Sequence, residues 1–307
     1  MSKAFDTLVA GEINPDLILT GDVTPSFNQV EKLVDSAALT IGSSSAIFAC
    51  GAARLGLRVA FIGVCGDDIF GHFMLDEMQK RGVDVSNVII RKDGQTGLSV
   101  ILNQGVDRAI LTHPGLIAAL RASDISDDLL RQSQHLHVAS YFLQTNLQRD
   151  LPHLFQRARS LGLTTSLDTN YDPSETWMGF DEQLAVTNVF LPNEKEALSL
   201  TGESNVDLAA DRLGSRVEAL GVKLGEDGAL GVREGEKVRV ASIPVNVVDT
   251  VGAGDSFDAG FLYGYLNQWP LAKTLRLACV CGALSTQRAG GTDGQPSLDE
   301  AMNHVSG

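Results

Sequence analysis

The chain holds 307 residues, 44% of them hydrophobic and 6% aromatic, which suits one large α/β domain with a small appendage. Its formal charge is 24 − 38 = −14, which argues against nucleic acid or an anionic membrane as partner, since both need basic patches. No segment reaches a membrane-spanning apolar length, and Met1-Ser2-Lys3 leads into no signal-peptide core, so a cytoplasmic protein is expected.

Thr7-Leu8-Val9-Ala10-Gly11 reads as a buried first strand. In the following Glu12-Ile13-Asn14-Pro15-Asp16, Pro15 lacks an N–H for sheet pairing. Asn14 and Asp16 are either turn formers or hydrogen-bonding groups at the end of a central strand, where open α/β sheets bind ligands. Residues 20–40 break the α/β rhythm, with only short apolar pieces such as Ala37-Ala38-Leu39. Ile41-Gly42-Ser43-Ser44-Ser45 then opens a small-residue helix that stops at Gly56. Ile69, Phe70, Phe73, Met74 and Met78 mark a second helical face.

A second interruption covers residues 88–112. Val88-Ile89-Ile90, Leu98 to Leu102 and Arg108 to Leu111 read as strands, separated by Lys92-Asp93-Gly94 and Asn103-Gln104-Gly105 turns. Two strand-rich insertions in one domain suit a single small sheet.

Alternation then resumes. Leu136 to Ala139 reads as a strand, Leu147 to Leu161 as one helix and Thr164 to Leu167 as a strand. His135 and His137 lack an evident third ligand and read as structural rather than metal-binding. Cys50, Cys65, Cys279 and Cys281 lie in apolar settings without a C-x-x-C pair, so they read as buried free thiols. Asp168 and Asn170 follow the last of these strands. Val189 to Pro192 is a strand and turn feeding the acidic helix start Asn193-Glu194-Lys195-Glu196, which the helix dipole alone explains. Val222-Lys223-Leu224-Gly225-Glu226-Asp227-Gly228 reads as a strand and glycine turn, and Leu275 to Ala289 as a helix ending at Gly290-Gly291.

Asp249-Thr250-Val251-Gly252-Ala253-Gly254-Asp255-Ser256-Phe257-Asp258-Ala259-Gly260 carries the most chemistry. The β-branched run Ile243 to Val248 before it reads as extended chain; Phe257, Phe261, Leu262 and Tyr265 after it share a helical face. It is a glycine-rich turn into a helix, where unpaired amides and the dipole attract anions. Asp255 there is a helix cap or a general base. No G-x-x-x-x-G-K-[ST] loop occurs.

This string closely resembles the D-T-x-G-A-G-D-x-F-x-x-G signature of the ribokinase-like carbohydrate kinases, the PfkB family. Asp249, Thr250, Gly252, Ala253, Gly254, Asp255, Phe257 and Gly260 meet every fixed position. Gly42, Gly63, Gly66-Asp67-Asp68, the Asp168-to-Asn170 segment, Pro192-Asn193 with Glu196, and Lys223 to Gly228 continue the resemblance along the chain. It implies one ribokinase-like domain over residues 1–307: a three-layer α/β/α sandwich on a mostly parallel sheet. The inserted segments, about 16–40 and 88–112, become a β-sheet lid over the sugar, whose exposed face pairs protomers into a homodimer. The implied reaction moves the γ-phosphate of ATP to a hydroxyl of a small sugar, with Mg2+.

The implied roles fall on matched positions. Asp255 is the catalytic base, and the amides of Gly252, Ala253 and Gly254 are the anion hole. Asn14, Asp16, Gly42 and Ser43 face the sugar. Asn193, Lys223, Gly225, Gly228 and Gly254 face the nucleotide, Glu196 holds magnesium through water, and Asp168 lies near magnesium or phosphate unless it only caps its loop. A potassium ion is expected beside Asp249 and the Val251 carbonyl, near the turn Ala289-Gly290-Gly291-Thr292; the alternative is that Asp249 only braces the loop. Three departures stand out. Ser43 replaces a signature glycine, Ile47 stands where an asparagine often contacts ribose, and Cys279 stands where relatives place asparagine near adenine. Ribose is thereby in doubt. A nucleoside kinase, with Ile47 or Phe27 forming a base slot, is the alternative within the family. A non-catalytic sugar-binding regulator is the alternative outside it, and the intact Asp255 loop opposes it. A Rossmann dehydrogenase is disfavoured because no G-x-G-x-x-G follows the first strand.

Overall fold

The computed structural model describes residues 3–104, 107–177 and 180–305. Met1, Ser2 and the expected turn residue Gly105 lie outside them. In chain order the strands are β1 Phe5–Ala10, β2 Pro15–Thr20, β3 Ser36–Ile41, β4 Val59–Ile62, β5 Val64–Gly66, β6 Val83–Asp84, β7 Ile89–Arg91 and β8 Leu98–Gln104. There follow β9 Asp107–His113, β10 Ser133–Val138, β11 Thr164–Leu167, β12 Val189–Phe190, β13 Ala219–Lys223, β14 Ala229–Arg233 and β15 Glu236–Val240.

The main sheet runs in the order β15-β14-β13-β12-β11-β10-β1-β4-β6. It is parallel from β13 to β6, and β14 and β15 add antiparallel. This is the mostly parallel sheet that the family resemblance implies, and the apolar strands suit it, because a parallel sheet is buried on both faces. Val9 packs into one core, with the helices Ser44–Arg54, Ala253–Leu266 and Leu271–Ser285. Its neighbours Leu8 and Ala10 pack into the other, with the helices Leu151–Ser160 and Val206–Gly214. The chain leaves β1 towards β4 and returns on the other side as β10. That reversal opens a crevice at the carboxyl ends of β1 and β10, where such sheets bind ligands.

A second sheet, β3-β2-β8-β9, stands apart from the first. Its strands come from both inserted segments, since β2 pairs parallel with β8. Pro15 opens β2, the strand position that tolerates a residue without an N–H.

Several expected elements differ. Ile89 and Ile90 do form a strand, but β7 pairs with β5 in a two-stranded ribbon and not with the second sheet. The single helix expected over 147–161 is two, Thr145–Gln148 and Leu151–Ser160. Pro152 lies in the first turn of the latter, where its missing N–H costs nothing. The helix expected from Leu275 starts earlier, at Leu271 behind Pro270, and ends at Ser285. Ile243 to Val248 joins no described strand; the Val248 and Asp249 amides donate to the Thr286 carbonyl instead (2.8 and 3.1 Å).

Candidate active site

Two cavities open on the crevice, and the turn before the helix Ala253–Leu266 separates them. Gly252 is the N-cap, with φ of 72°, and no side chain caps this helix among the described residues. Asp255 therefore sits inside the first turn and does not act as the cap. A Cβ on Gly252 would meet the Gly291 carbonyl oxygen at 2.7 Å, so the turn needs glycine for both conformation and space. The Ala253 amide reaches back to the Thr250 carbonyl (3.3 Å), and the ladder proper begins with Ser256 N–H to the Gly252 carbonyl (2.9 Å).

Thr250 and the residues beside it line both cavities. The smaller, about 300 Å³, lies between β1, the helix Ser44–Arg54 and the second sheet. Asn14, Asp16, Ser43, Ser99, Arg108 and Asp255 are among its walls. Gly42 presses against Asp16, leaving no room for a side chain. Asn14 Nδ2 donates to Ser99 Oγ (3.4 Å), tying the link between β1 and β2 to β8. Burial pushes the Asp16 carboxyl up to about 7, against the pull of the Arg108 cation and with the nearby Asp249 adding to the rise. Ile47 lines this cavity, whereas Phe27 is 86% exposed and lines neither cavity.

A buried network frames Asp255. Glu12 accepts from Ser43 Oγ (3.0 Å), Ser45 Oγ (2.6 Å) and Ser140 Oγ (2.9 Å). It thereby holds Ser43 and Ser140, both at positive φ, where serine is strained. The Asn170 amide bridges the hydroxyls of Ser44 and Ser140 (2.5 and 3.0 Å). Burial drives the Asp255 carboxyl well above the usual range, and Asp168 and Glu12 push the same way, while Lys223 and the Ser44 hydroxyl pull it back.

The larger cavity, about 790 Å³, is bounded by Lys223, Gly225, Gly228, Ile243, Val245, Ala253, Gly254, Cys279 and Ala283. Its walls are small or apolar, a shape suited to a flat base and a phosphate chain. Burial pushes the Cys279 thiol up to about 12. All four cysteines are free and buried. Asn193 and Glu196 lie at the end of β12, outside the cavity walls. They form a reciprocal cap: Glu196 N–H donates to Asn193 Oδ1 (2.9 Å) and Asn193 N–H to Glu196 Oε2 (2.9 Å). Burial and the Asp168 charge push Glu196 up to about 7, against the pull of the Lys223 cation.

Asp249 braces the turn. Its Oδ1 accepts from Val251 N–H (3.0 Å) and its Oδ2 from Gly290 N–H (3.0 Å), which joins the two glycine turns. Arg108 approaches to 3.7 Å. His135 and His137 are buried and share Ser166 Oγ (2.6 and 2.7 Å), with His137 stacked on Phe48 at 3.6 Å. Burial pushes His137 down to about 3, so it stays neutral.

Glu12, Ser140, Arg108 and Asp258 were not singled out from sequence. A carboxylate next to a strand end, as in Glu12, was the one available local signal.

The family model described as pfkB family carbohydrate kinase matches residues 6–298. The 2-dehydro-3-deoxygluconokinase of Bacillus subtilis is 33% identical, the match covering 84% of this chain and 84% of that protein. The 5-dehydro-2-deoxygluconokinase of Geobacillus thermodenitrificans is 29% identical, covering 86% and 84%. The solved structure of Arabidopsis thaliana ribokinase complexed with ribose and ATP superposes with a TM-score of 0.87, at 22% identity and over 100% of both chains.

Proposed function

This chain belongs to the pfkB family of carbohydrate kinases and is an ATP-dependent sugar kinase; from that premise we propose that its acceptor is a small acidic sugar, a keto-deoxy aldonate. Arg108 carries this reading. It is the one cation among the described residues lining the smaller cavity. A single guanidinium matches a single carboxylate, whereas a phosphosugar calls for a cluster of cations. Two relatives named for dehydro-deoxygluconates agree with it.

In this reading the second sheet is the lid, and the sugar lies under it against Asn14, Asp16, Gly42 and Ser43. Asp255 takes the proton of the acceptor hydroxyl as that oxygen attacks the γ-phosphorus. Burial raises its affinity for protons, which favours taking one from the acceptor hydroxyl. The amides of Gly252, Ala253 and Gly254 receive the developing charge, and Lys223 and Gly225 border the phosphate chain. Thr169 Oγ1 donates to Glu196 Oε2 (3.4 Å), and these oxygens with those of Asp168 suit magnesium; the elevated Glu196 is the group a further cation would relieve. Magnesium, when bound, shields the charge of the transferring phosphates. Asp249 acts as a brace for the amide loop in place of a potassium ligand, since backbone amides and Arg108 already surround it. Exposed Phe27, Leu33, Ile110 and Leu111 support pairing of protomers through the lid, and the buried free thiols suit a reducing cytoplasm.

The test is ADP release over keto-deoxy aldonates, ribose, fructose and adenosine, for the native enzyme and Arg108→Gln. The aldonates should be preferred, and Arg108→Gln should raise their KM about 10- to 100-fold, the worth of one charge-assisted contact. Preference for a neutral sugar or a nucleoside, unaltered by Arg108→Gln, contradicts the reading.

A further inference from the structure

A second carboxylate lies one turn beyond the proposed base. Asp258 is 1% exposed and lines neither of the two cavities. Both of its oxygens lie 3.2 Å from Lys223 Nζ, which is also 3.0 Å from Asp168 Oδ2. Carboxylate oxygens of Asp168, Asp255 and Asp258 come within 4.8 Å of one another, close enough to hold a metal. The Lys223 ammonium already supplies a cation to Asp168 and Asp258.

The position of this ammonium is costly. It lies below the N-terminus of the helix Ala253–Leu266, 3.6 Å from where a Cβ on Gly254 would stand. The helix dipole is positive there and repels it. Burial would also push it towards the neutral amine, yet Asp168, Asp258 and Glu196 keep it charged. Burial drives the Asp258 carboxyl well above the usual carboxylate range against the pull of Lys223, while Asp168, though buried, is held below that range by the Lys223 ammonium. The side chain of Lys223 keeps 13% of its surface, on the wall of the larger cavity beside Gly254. An ammonium held against a helix dipole with one open face is arranged to meet an anion arriving through that face.

We propose that Asp258 is a positioning residue for the kinase reaction, holding the Lys223 ammonium beside Gly254 to face the transferring phosphoryl group. This rests on Lys223 bordering the phosphate chain. Asp258 itself touches no substrate, and its effect passes wholly through Lys223. The pair costs desolvation, which a packed apolar pair would avoid, so its presence in the core calls for a use beyond stability.

The experiment is a double-mutant cycle on the full-length enzyme, reading kcat, sugar KM and melting temperature. Lys223→Met and Asp258→Asn should each lower kcat about 10- to 100-fold while leaving sugar KM within about twofold. In the Lys223→Met background, Asp258→Asn should lower kcat by less than about twofold further. A native kcat in Lys223→Met overturns the role of Lys223 and the proposal with it. A slowed Lys223→Met beside a native Asp258→Asn, or fully additive effects, overturns positioning alone. If Asp258→Asn fails to fold, Lys223→Met/Asp258→Leu removes both charges and keeps the packing. Its kcat should match that of Lys223→Met, and a further loss of about tenfold overturns the proposal.

Discussion

The two cavities that meet at the Gly252 turn are built in opposite ways. The smaller, proposed as the acceptor cavity, carries polar side chains brought together from strand ends, a helix start and the second sheet: Asn14 and Asp16, Ser43, Ser99 and Arg108. The larger, proposed as the donor cleft, is walled by glycines, alanines and a valine-rich segment, and its main charged group towards Gly254 is Lys223. One side selects by side-chain chemistry, so single substitutions can change what it accepts. The other admits its ligand by leaving backbone open, so its glycines are the sensitive positions. Only the turn between them serves both, and that is where the proposed base sits.

Asp255→Asn strikes the junction and should have the largest effect. Turnover should fall about 10²- to 10⁴-fold, the usual worth of a general base, with ATP affinity by calorimetry nearly unchanged. Near-native turnover would reduce Asp255 to part of the helix start.

Gly252→Ala tests the backbone side. The new Cβ collides with the Gly291 carbonyl, and φ of 72° is unfavourable for alanine. Moving the anion-hole amides should cost about 10- to 100-fold in kcat, with about 1–3 kcal/mol of stability lost on thermal unfolding. A variant that loses stability but keeps kcat would separate the turn from the chemistry.

Asp16→Asn tests the side-chain side. Sugar KM should rise about tenfold, the value of one good hydrogen bond, while ATP KM stays put. Equal changes in both KM values would mean that the cavities are not independent. Replacing potassium by a bulky organic cation at constant magnesium and ionic strength should have the smallest effect, under about twofold, because fixed groups already brace the Asp249 loop. A larger loss would restore a monovalent ion to that place.

Legibility in the sequence divided along the same line. The walls of the larger cavity are local in sequence: Asp249 to Gly260 and Lys223 to Gly228 are each one unbroken string. The layered sheet was legible through the family resemblance, and the alternating apolar strands and helical faces agree with it. The acceptor side was read only in part. Glu12 meets Ser140 across 128 positions, and Arg108 reaches Asp249 only because β9 folds onto β8 in the second sheet. Strand pairing chooses partners by tertiary packing, so β7 read correctly as a strand yet joined β5. Pro152 was a breaker visible within an otherwise helical pattern. Asp258 occupies a variable place in the signature, and only its 3.2 Å distance from Lys223 marks it out.

The claim that Asp255 is the base is tested most directly by the pH dependence of single-turnover phosphoryl transfer at saturating ATP and sugar. A base must be ionised to act, and burial raises the Asp255 carboxyl. The native rate should therefore fall as pH is lowered, along a limb lying above the ordinary carboxylate range. That limb should vanish in Asp255→Asn, leaving a slow rate flat over the same pH span. The same acid limb in both proteins would assign the titration to another group and contradict the account.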